Sequence, residues 1–583
     1  MRFRRSVELA GIWRFTCWVG VEARLYQRSL HQAYNRRALA IEKLSQAAAV
    51  KLVRPLPPTR MQLSRYLVLS VFTAGMTTLA VELSASRLLG NVFGTSNLVW
   101  ANIIGLILVY LTAGYFVGGR WADRSPDPLV FYRILAWAAL AAGTVPVISR
   151  PVLQAAANAV ENVQAAVALG SFAAVLILFS VPVTLLGCVS PFAIRLAMRE
   201  IKTAGDVSGK LYAISTLGSI FGTFIPVLWL IPAIGTARTF LLFSALLMVV
   251  GLIGMWRSNR GAALRHAWMP LLLILLIVFG VRGTIKNSEG QILEEESAYN
   301  YIQVIQRGNT RYLLLNEGQG VHSVYDPGQL ATFGTWDYFL SAPFFNPPSY
   351  SPAMVDSVAI VGLAAGTSAR QFTAAFGPIP IDGFEIDPAI LQVGRRYFDM
   401  NEPNLNPIAQ DGRWGLEHSR RTYSVIVVDA YRPPYIPWQL TTQQFFEIAR
   451  QHLDPNGVLV MNIARLPDDR RLLEGMASTV RTVFPSEYVV DVPYSLNSIL
   501  YATRQPTQVE DLVANRDSFS STNPKSEGGR FLLDVLDRTV SNLQPAPQPG
   551  PVFTDDWAPV EQLTNAMVIH FVLTGGLQQL APQ

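Results

Sequence analysis

The sequence predicts a multi-span α-helical membrane domain, then a small β-hairpin region, then an α/β Rossmann-like domain. Three observations carry that prediction. Seven long apolar stretches follow one another before residue 283, a segment of apolar–polar alternation comes next, and four short β-like runs then alternate with helical segments. Composition agrees: of 583 residues, 50% are hydrophobic and only 15% charged. The mean hydropathy of +0.27 is too high for an ordinary soluble enzyme, and the length suits two or three domains.

Taken in order, residues 1–65 hold thirteen Lys or Arg against three Glu. The patch "LAGIWRFTCWVGV" is too short and too punctuated by arginine to cross a bilayer, and no small-residue cleavage site follows it. The segment reads as a basic amphipathic stretch on an anionic membrane face, or equally as a basic tail without fixed structure. Much of the positive charge of a chain of net +6 is gathered here, so the lipid bilayer is the expected partner and nucleic acid is not.

The apolar stretches are 66–90, 97–118, 129–148, 166–188, 209–232, 237–256 and 267–282. Each is close to the ~20 residues that cross ~30 Å of hydrocarbon. The connections "GGRWADRS", "RLAMREIKTAGDVSGK" and "RSNRGAALRH" are basic, whereas the opposite ones hold little beyond Arg150 and Arg238. The positive-inside rule then puts the N-terminus in the cytoplasm, and seven crossings deliver residues 283–583 to the outer side of a cell membrane. Glu82 shares a helical face with Gly75, Thr78 and Ser86. It reads either as a functional site or as a structural hydrogen bond to Ser86 or a neighbouring helix. "GGRWADR" resembles the G-x-x-x-D-R loop of major-facilitator transporters, but seven spans are too few for that fold and no second half repeats it. With only Cys17 and Cys188, and six scattered histidines, neither a disulfide framework nor a metal site is expected.

Past residue 290, "EEESAYNYIQVIQRGNTRYLLLNEG" reads as a β-hairpin turning at Gly308-Asn309. A Pro-rich joint, "FFNPPSYSP", leads into the runs 358–363, 379–386, 423–430 and 457–464, whose apolar character indicates a parallel sheet covered on both faces. The expected boundaries are 1–65, 66–282, 283–350 and 351–583. Residues 505–550, poor in pattern, read as a long surface excursion.

Ligands of such sheets bind at the carboxyl ends of the strands. Gly362 and Gly366 close the first run in "GLAAGT", a spacing that close helix–strand packing explains as well as a nucleotide does. Glu385 ends the second run, where a carboxylate can accept both ribose hydroxyls. Asp411 in "QDGR" suits an adenine amino group, although Asp-Gly is also an ordinary turn. Asp429 ends "VIVVDA". Strand-end acids are sometimes only helix caps, but three of them beside a glycine turn favour a nucleoside site.

The order "VAIVGLAAGT … FEIDPAILQVGRRYF … QDGRWGL … YSVIVVDAYRPP … LTTQQFFEIARQHLDPNGVLVMN", closing with "FTDDWAPVEQL", resembles the spermidine synthases, the polyamine aminopropyltransferases. The seven-span front resembles membrane-fused members of that family. The resemblance implies a methyltransferase-type Rossmann domain and a co-substrate derived from S-adenosylmethionine, ordinarily its decarboxylated form. It assigns Gly362, Gly366, Glu385 and Asp411 to the nucleoside and Asp429 to the base that activates the amine. Tyr299-Asn300 stands in the place of the family's Tyr-Gln pair on the acceptor.

Two departures bear on the acceptor. Ala365 replaces the acid of the family's G-G-G-D-G loop, and Arg432 replaces the second acid of its D-x-x-D-P strand end. At an effective dielectric of ~20, a like charge ~4 Å from a substrate cation costs on the order of 4 kcal/mol. A diamine is therefore disfavoured, whereas Arg432 suits a carboxylate, which intact S-adenosylmethionine carries. Three functions follow from the sequence: a membrane-anchored transferase of aminopropyltransferase type with an altered amine pocket; an S-adenosylmethionine-dependent methyl or aminocarboxypropyl transferase; or a non-catalytic nucleoside sensor or scaffold. A polyamine partner and a homo-oligomer are both compatible with the chain.

Overall fold

In a computed structural model the chain is described for residues 64–93, 97–160, 164–198, 204–280, 288–316, 320–431 and 435–573. The basic segment 1–63 and Arg432 lie outside the described residues.

Seven helices are long and apolar enough to cross a membrane: α1 (Arg65–Phe93), α2 (Asn97–Arg124), α3 (Pro128–Leu153), α4 (Gly170–Ala197), α5 (Ala204–Ile234), α6 (Thr236–Ser258) and α7 (Arg260–Phe279). They coincide with the seven predicted stretches. α1 and α5 touch backbone to backbone because glycine stands at the crossing. A Cβ on Gly218 or Gly222 would sit 2.0 Å from Phe72 O or Met76 O. α5 passes through a π-helical turn at Pro226–Leu230 near its end. α2 and α5 leave many large apolar side chains uncovered, among them Leu108, Phe116, Phe224 and Trp229.

The soluble part is tied to one end of this bundle. Glu296 accepts 2.7 Å hydrogen bonds from Asn91 Nδ2 at the end of α1 and from the backbone N–H of Thr236 at the start of α6. A carboxylate there satisfies an unpaired helix N–H and meets the positive end of the dipole, since the α6 cap residue is Gly235 and brings no side chain of its own. Asn97 at the start of α2 makes a second tie, 2.5 Å to Glu561.

Two sheets follow. The first is antiparallel, in the order β1 (Gln291–Glu296), β2 (Tyr301–Arg307), β3 (Thr310–Leu315) and β4 (Val321–Tyr325). The predicted hairpin is its β2–β3 pair, and Gly308 at the turn has the positive φ (61°) that a tight hairpin requires.

The second sheet has the order β12-β10-β11-β9-β8-β5-β6-β7. β5 (Val358–Val361), β6 (Ile381–Glu385), β7 (Leu405–Ala409), β8 (Tyr423–Val428) and β9 (Leu453–Ala464) are parallel. β10 (Ser486–Asp491), β11 (Asn497–Thr503) and β12 (Leu543–Gln544) add an antiparallel flank. Pro407 inside β7 is tolerated because β7 is an edge.

Both faces of the parallel strands are covered. Helices α11 (Gln443–Gln451), α12 (Arg471–Arg481) and α15 (Val560–Leu573) bury Phe445, Leu473, Met476 and Val560 on one side. The other is packed by α8 (Thr367–Phe376), α13 (Val509–Ser521) and α14 (Glu527–Ser541). Two shorter helices, α9 (Pro388–Tyr397) and α10 (Gly412–Glu417), follow β6 and β7. The segment 505–550 is therefore not a surface excursion: it supplies α13 and α14, whose Leu512, Leu532, Val535 and Leu536 are wholly buried. Their spacing at 532, 535 and 536 is one helical face.

Candidate active site

From the central strand β5 the chain winds outward through β6 and β7, then returns to lay β8 and β9 on the other side. The carboxyl ends of β5 and β8 form the topological switch point, where open α/β sheets hold their ligands. The N–H of Asp429 donates to Val361 O across that gap at 2.9 Å.

The β5–α8 turn is shaped by this contact. Gly362 has φ +94°, and a Cβ on it would lie 2.5 Å from Asp429 O, so only glycine lets the two strand ends close. Ala364 is also left-handed, at φ +48°. Gly366 (φ +92°) faces away, and a Cβ there would meet Met400 at 2.6 Å. It serves packing and does not line the cavity beside the turn. Ala365 likewise points inward, buried with Ile302, Val304, Ile390 and Phe398. The loop residues that line the cavity are Gly362 and Ala364.

That cavity has a volume of about 1650 Å³ and is lined by Tyr299, Asn300, Glu385, Asp411 and Asp429 together. Each acid has a defined neighbourhood. Glu385 accepts from the backbone N–H groups of Ala364 (3.0 Å) and Asp387 (3.1 Å). Burial still pushes its carboxyl up to about 7, against those two donors. Asp411 caps α10, accepting from Trp414 N at 3.0 Å, so the helix-cap reading applies to one oxygen while the residue also lines the cavity. Asp429 accepts from Asn462 Nδ2 at 2.9 Å, and burial pushes it too up to about 7, against hydrogen bonds from Asn462 and Trp336.

The acceptor-side pair divides in role. Tyr299 is 47% exposed, held through its backbone by Ser297 Oγ and by Arg87 of α1. The Asn300 amide is already engaged: it donates to Asp387 Oδ2 at 2.9 Å and accepts from Asn316 at 3.0 Å. It bolts the first sheet to the α9 N-terminus, which Asp387 caps through Ala389 N. Glu82 lies in α1 outside the cavity lining, and Ser86 donates to Leu83 O rather than to it.

Several residues here carry no motif of their own. Asn462 holds Asp429, accepts from Asn497 at 2.8 Å, and takes the Tyr431 hydroxyl on its backbone carbonyl. Its one signal in the sequence is a lone amide inside the apolar run "GVLVMNIA". His322 lines the same cavity, its Nε2 without a partner and burial lowering its pKa to about 4. Arg413 of "QDGRWGL" forms a two-pronged pair with Asp555 of "FTDDW", at 2.8 and 2.7 Å, joining two separated motifs.

A doubly covered, mostly parallel sheet with acids at its switch point defines a Rossmann-like architecture. No family model matches the chain. A probable polyamine aminopropyl transferase of Bifidobacterium longum is 32% identical over 284 residues, which is 46% of this chain and 61% of that protein. The polyamine aminopropyltransferase of Vibrio vulnificus is 25% identical over 237 residues, 38% of this chain and 75% of that one. The crystal structure of a probable spermidine synthase from Corynebacterium glutamicum, 20% identical, covers 40% of this chain and 88% of its own, with a TM-score of 0.34. The chain is similar in sequence to polyamine aminopropyltransferases, and it spans about three-fifths of the first of these relatives.

Proposed function

We propose that the protein is a membrane-anchored, spermidine synthase-like transferase. It takes a nucleoside derived from S-adenosylmethionine and passes a carbon group from its sulfonium to an amine held in an altered acceptor pocket. One observation carries the reading: Glu385, Asp411 and Asp429, from the ends of three parallel strands, open on a single cavity at the switch point. Glu385 keeps lone pairs free for the ribose hydroxyls beside the left-handed turn. Asp429, steadied by Asn462, takes the proton of the attacking amine.

The step balances. The amine lone pair forms an N–C bond to the carbon next to sulfur, the C–S pair returns to sulfur as a neutral thioether, and the released proton goes to Asp429. A positioned base contributes typically ~10²–10⁴ in rate. Ala364 and Ala365 bring no acid to the glycine turn, so a small diamine finds fewer cation partners here than the family's usual loop offers. Decarboxylated S-adenosylmethionine is the favoured donor, because the carboxylates lining the described cavity suit a cation.

Calorimetry on the detergent-solubilised protein tests the reading, using S-adenosylmethionine, its decarboxylated form and methylthioadenosine. Glu385→Ala should weaken binding about tenfold to a hundredfold, the worth of hydrogen bonds to a charged group at ~1.5–3 kcal/mol. Wild-type protein that binds none of the three is not a nucleoside transferase.

A further inference from the structure

The site cavity does not end in the soluble domain. Its wall continues onto Leu83 of α1, Trp100 of α2, and Phe224, Val227 and Leu228 of α5. Ligand sites for small molecules usually occupy ~300–1,000 Å³, and this one is larger at about 1650 Å³. Nine of its lining residues belong to helices of membrane-spanning length, and five of those nine are apolar. Trp100, Phe224 and Leu228 are 37%, 56% and 57% exposed, so the side chains that line the cavity also form the uncovered face of α2 and α5. A face of that kind on spanning helices meets lipid. Val227 and Leu228 stand in the π-helical turn of α5, a feature frequent at functional sites.

The wall that the soluble domain contributes carries carboxyl groups. Among its described lining residues there are Glu385, Asp411 and Asp429, while Glu561 and Arg87 lie beside the bundle, Glu561 on Asn97 of α2 and Arg87 within α1. Arg87 is turned toward the backbone carbonyls of Tyr299 and Ser297. A water-soluble acceptor gains nothing from the apolar wall, and a neutral lipid gains nothing from the acids. An amphiphile with a cationic head uses both.

We propose that the acceptor is a bilayer amphiphile bearing a primary amine, its head at Asp429 and its alkyl chain lying along Trp100, Phe224, Val227 and Leu228. The proposal rests on the transferase reading above and specifies its second substrate. The transferred carbon group leaves sulfur for the lipid's nitrogen, and Asp429 takes the proton, so nothing further is consumed. It also gives the membrane domain a part in the reaction, since an acceptor dissolved in the bilayer reaches the site without crossing water.

Photolabelling tests this without requiring turnover. The full-length protein is placed in phosphatidylcholine nanodiscs with octadecylamine carrying a mid-chain diazirine, and the labelled residues are mapped by mass spectrometry. The expected result is labelling concentrated on Trp100, Phe224, Val227 and Leu228. Excess octadecylamine should compete it at least fivefold, whereas octadecanol and putrescine should leave it unchanged. Asp429→Asn should reduce the same labelling severalfold while labelling at Leu108 and Phe116, on the outer bundle face, stays constant. Equal labelling of the cavity wall and those outer positions, without competition, would mean ordinary annular lipid and would overturn the proposal. Competition by octadecanol as strong as by octadecylamine would overturn the amine head. Nucleoside calorimetry stands apart from these outcomes: its failure removes the transferase, and a labelling failure removes only the lipid acceptor.

Discussion

At the scale of the residue, the site stores its chemistry in two carboxylates that the fold makes reluctant to ionise. Glu385 and Asp429 are both held near 7 by burial, well above the ordinary carboxylate range. A carboxyl raised in this way contributes its full stability only below its unfolded value, near ~4, and that contribution is lost as pH rises toward the folded value. Asp429→Asn keeps an acceptor for the Asn462 amide but never has to ionise. It should raise the thermal midpoint at pH 8, with the gain shrinking toward pH 4. A variant no more stable than wild type at pH 8 would show that Asp429 is solvated in the resting protein. The same property makes binding proton-linked. A cationic nucleoside draws both groups back toward their charged forms, so binding at pH 7 should release protons. Calorimetry in buffers of different ionisation enthalpy reads that release directly, and proton uptake would contradict the assigned polarity of the cavity.

At the scale of the element, the β5–α8 turn shows why a motif is only partly legible. Strand, turn and helix start were plain in "VAIVGLAAGTSAR", and so were the acids at the ends of β6 and β8, because alternation and strand-end position are local properties. Which loop residue faces the cavity was not. That depends on Gly366 packing against Met400 and on Ala365 being enclosed by the first sheet and α9, contacts made by residues far apart in sequence. The partners of Asn300 are distant in sequence too: it lines the cavity while its amide also meets Asp387 and Asn316. In α14 the one-face repeat of Leu532, Val535 and Leu536 is obscured in the sequence by the surrounding Ser and Pro. Gly362→Ala is the sharpest test of the turn. Its Cβ would fall 2.5 Å from Asp429 O at a left-handed φ, so the variant should lose on the order of 1–3 kcal/mol of stability and most nucleoside affinity. Ala364→Gly, at φ +48°, should be neutral or stabilising by about 1 kcal/mol in the same denaturation assay. A Gly362→Ala protein with wild-type stability and binding would mean that the two strand ends are not pressed together.

At the scale of the whole molecule, the parity of the seven spans decides on which side the cavity opens. The apolar stretches alone supplied the number of spans, since each must reach across the hydrocarbon. The manner of attachment needed the fold, because Glu296 meets Asn91 and Thr236 only once β1 has been laid against the ends of α1 and α6. Those ends, with the start of α2, belong to the bundle side opposite the basic connections around Arg120, Arg195 and Arg257. If the basic side is cytoplasmic, as the positive-inside rule requires, the site cavity opens at the outer leaflet. A surface position in the C-terminal domain reports the side. Lys525, exposed between α13 and α14, is suited to it. In a background with Cys17 replaced by serine and Cys188 left in its buried position, Lys525→Cys should react with a membrane-impermeant maleimide on intact cells. Reaction only after lysis would place the domain in the cytoplasm. The basic connections would then face outward, and S-adenosylmethionine and its derivatives would be at hand without transport.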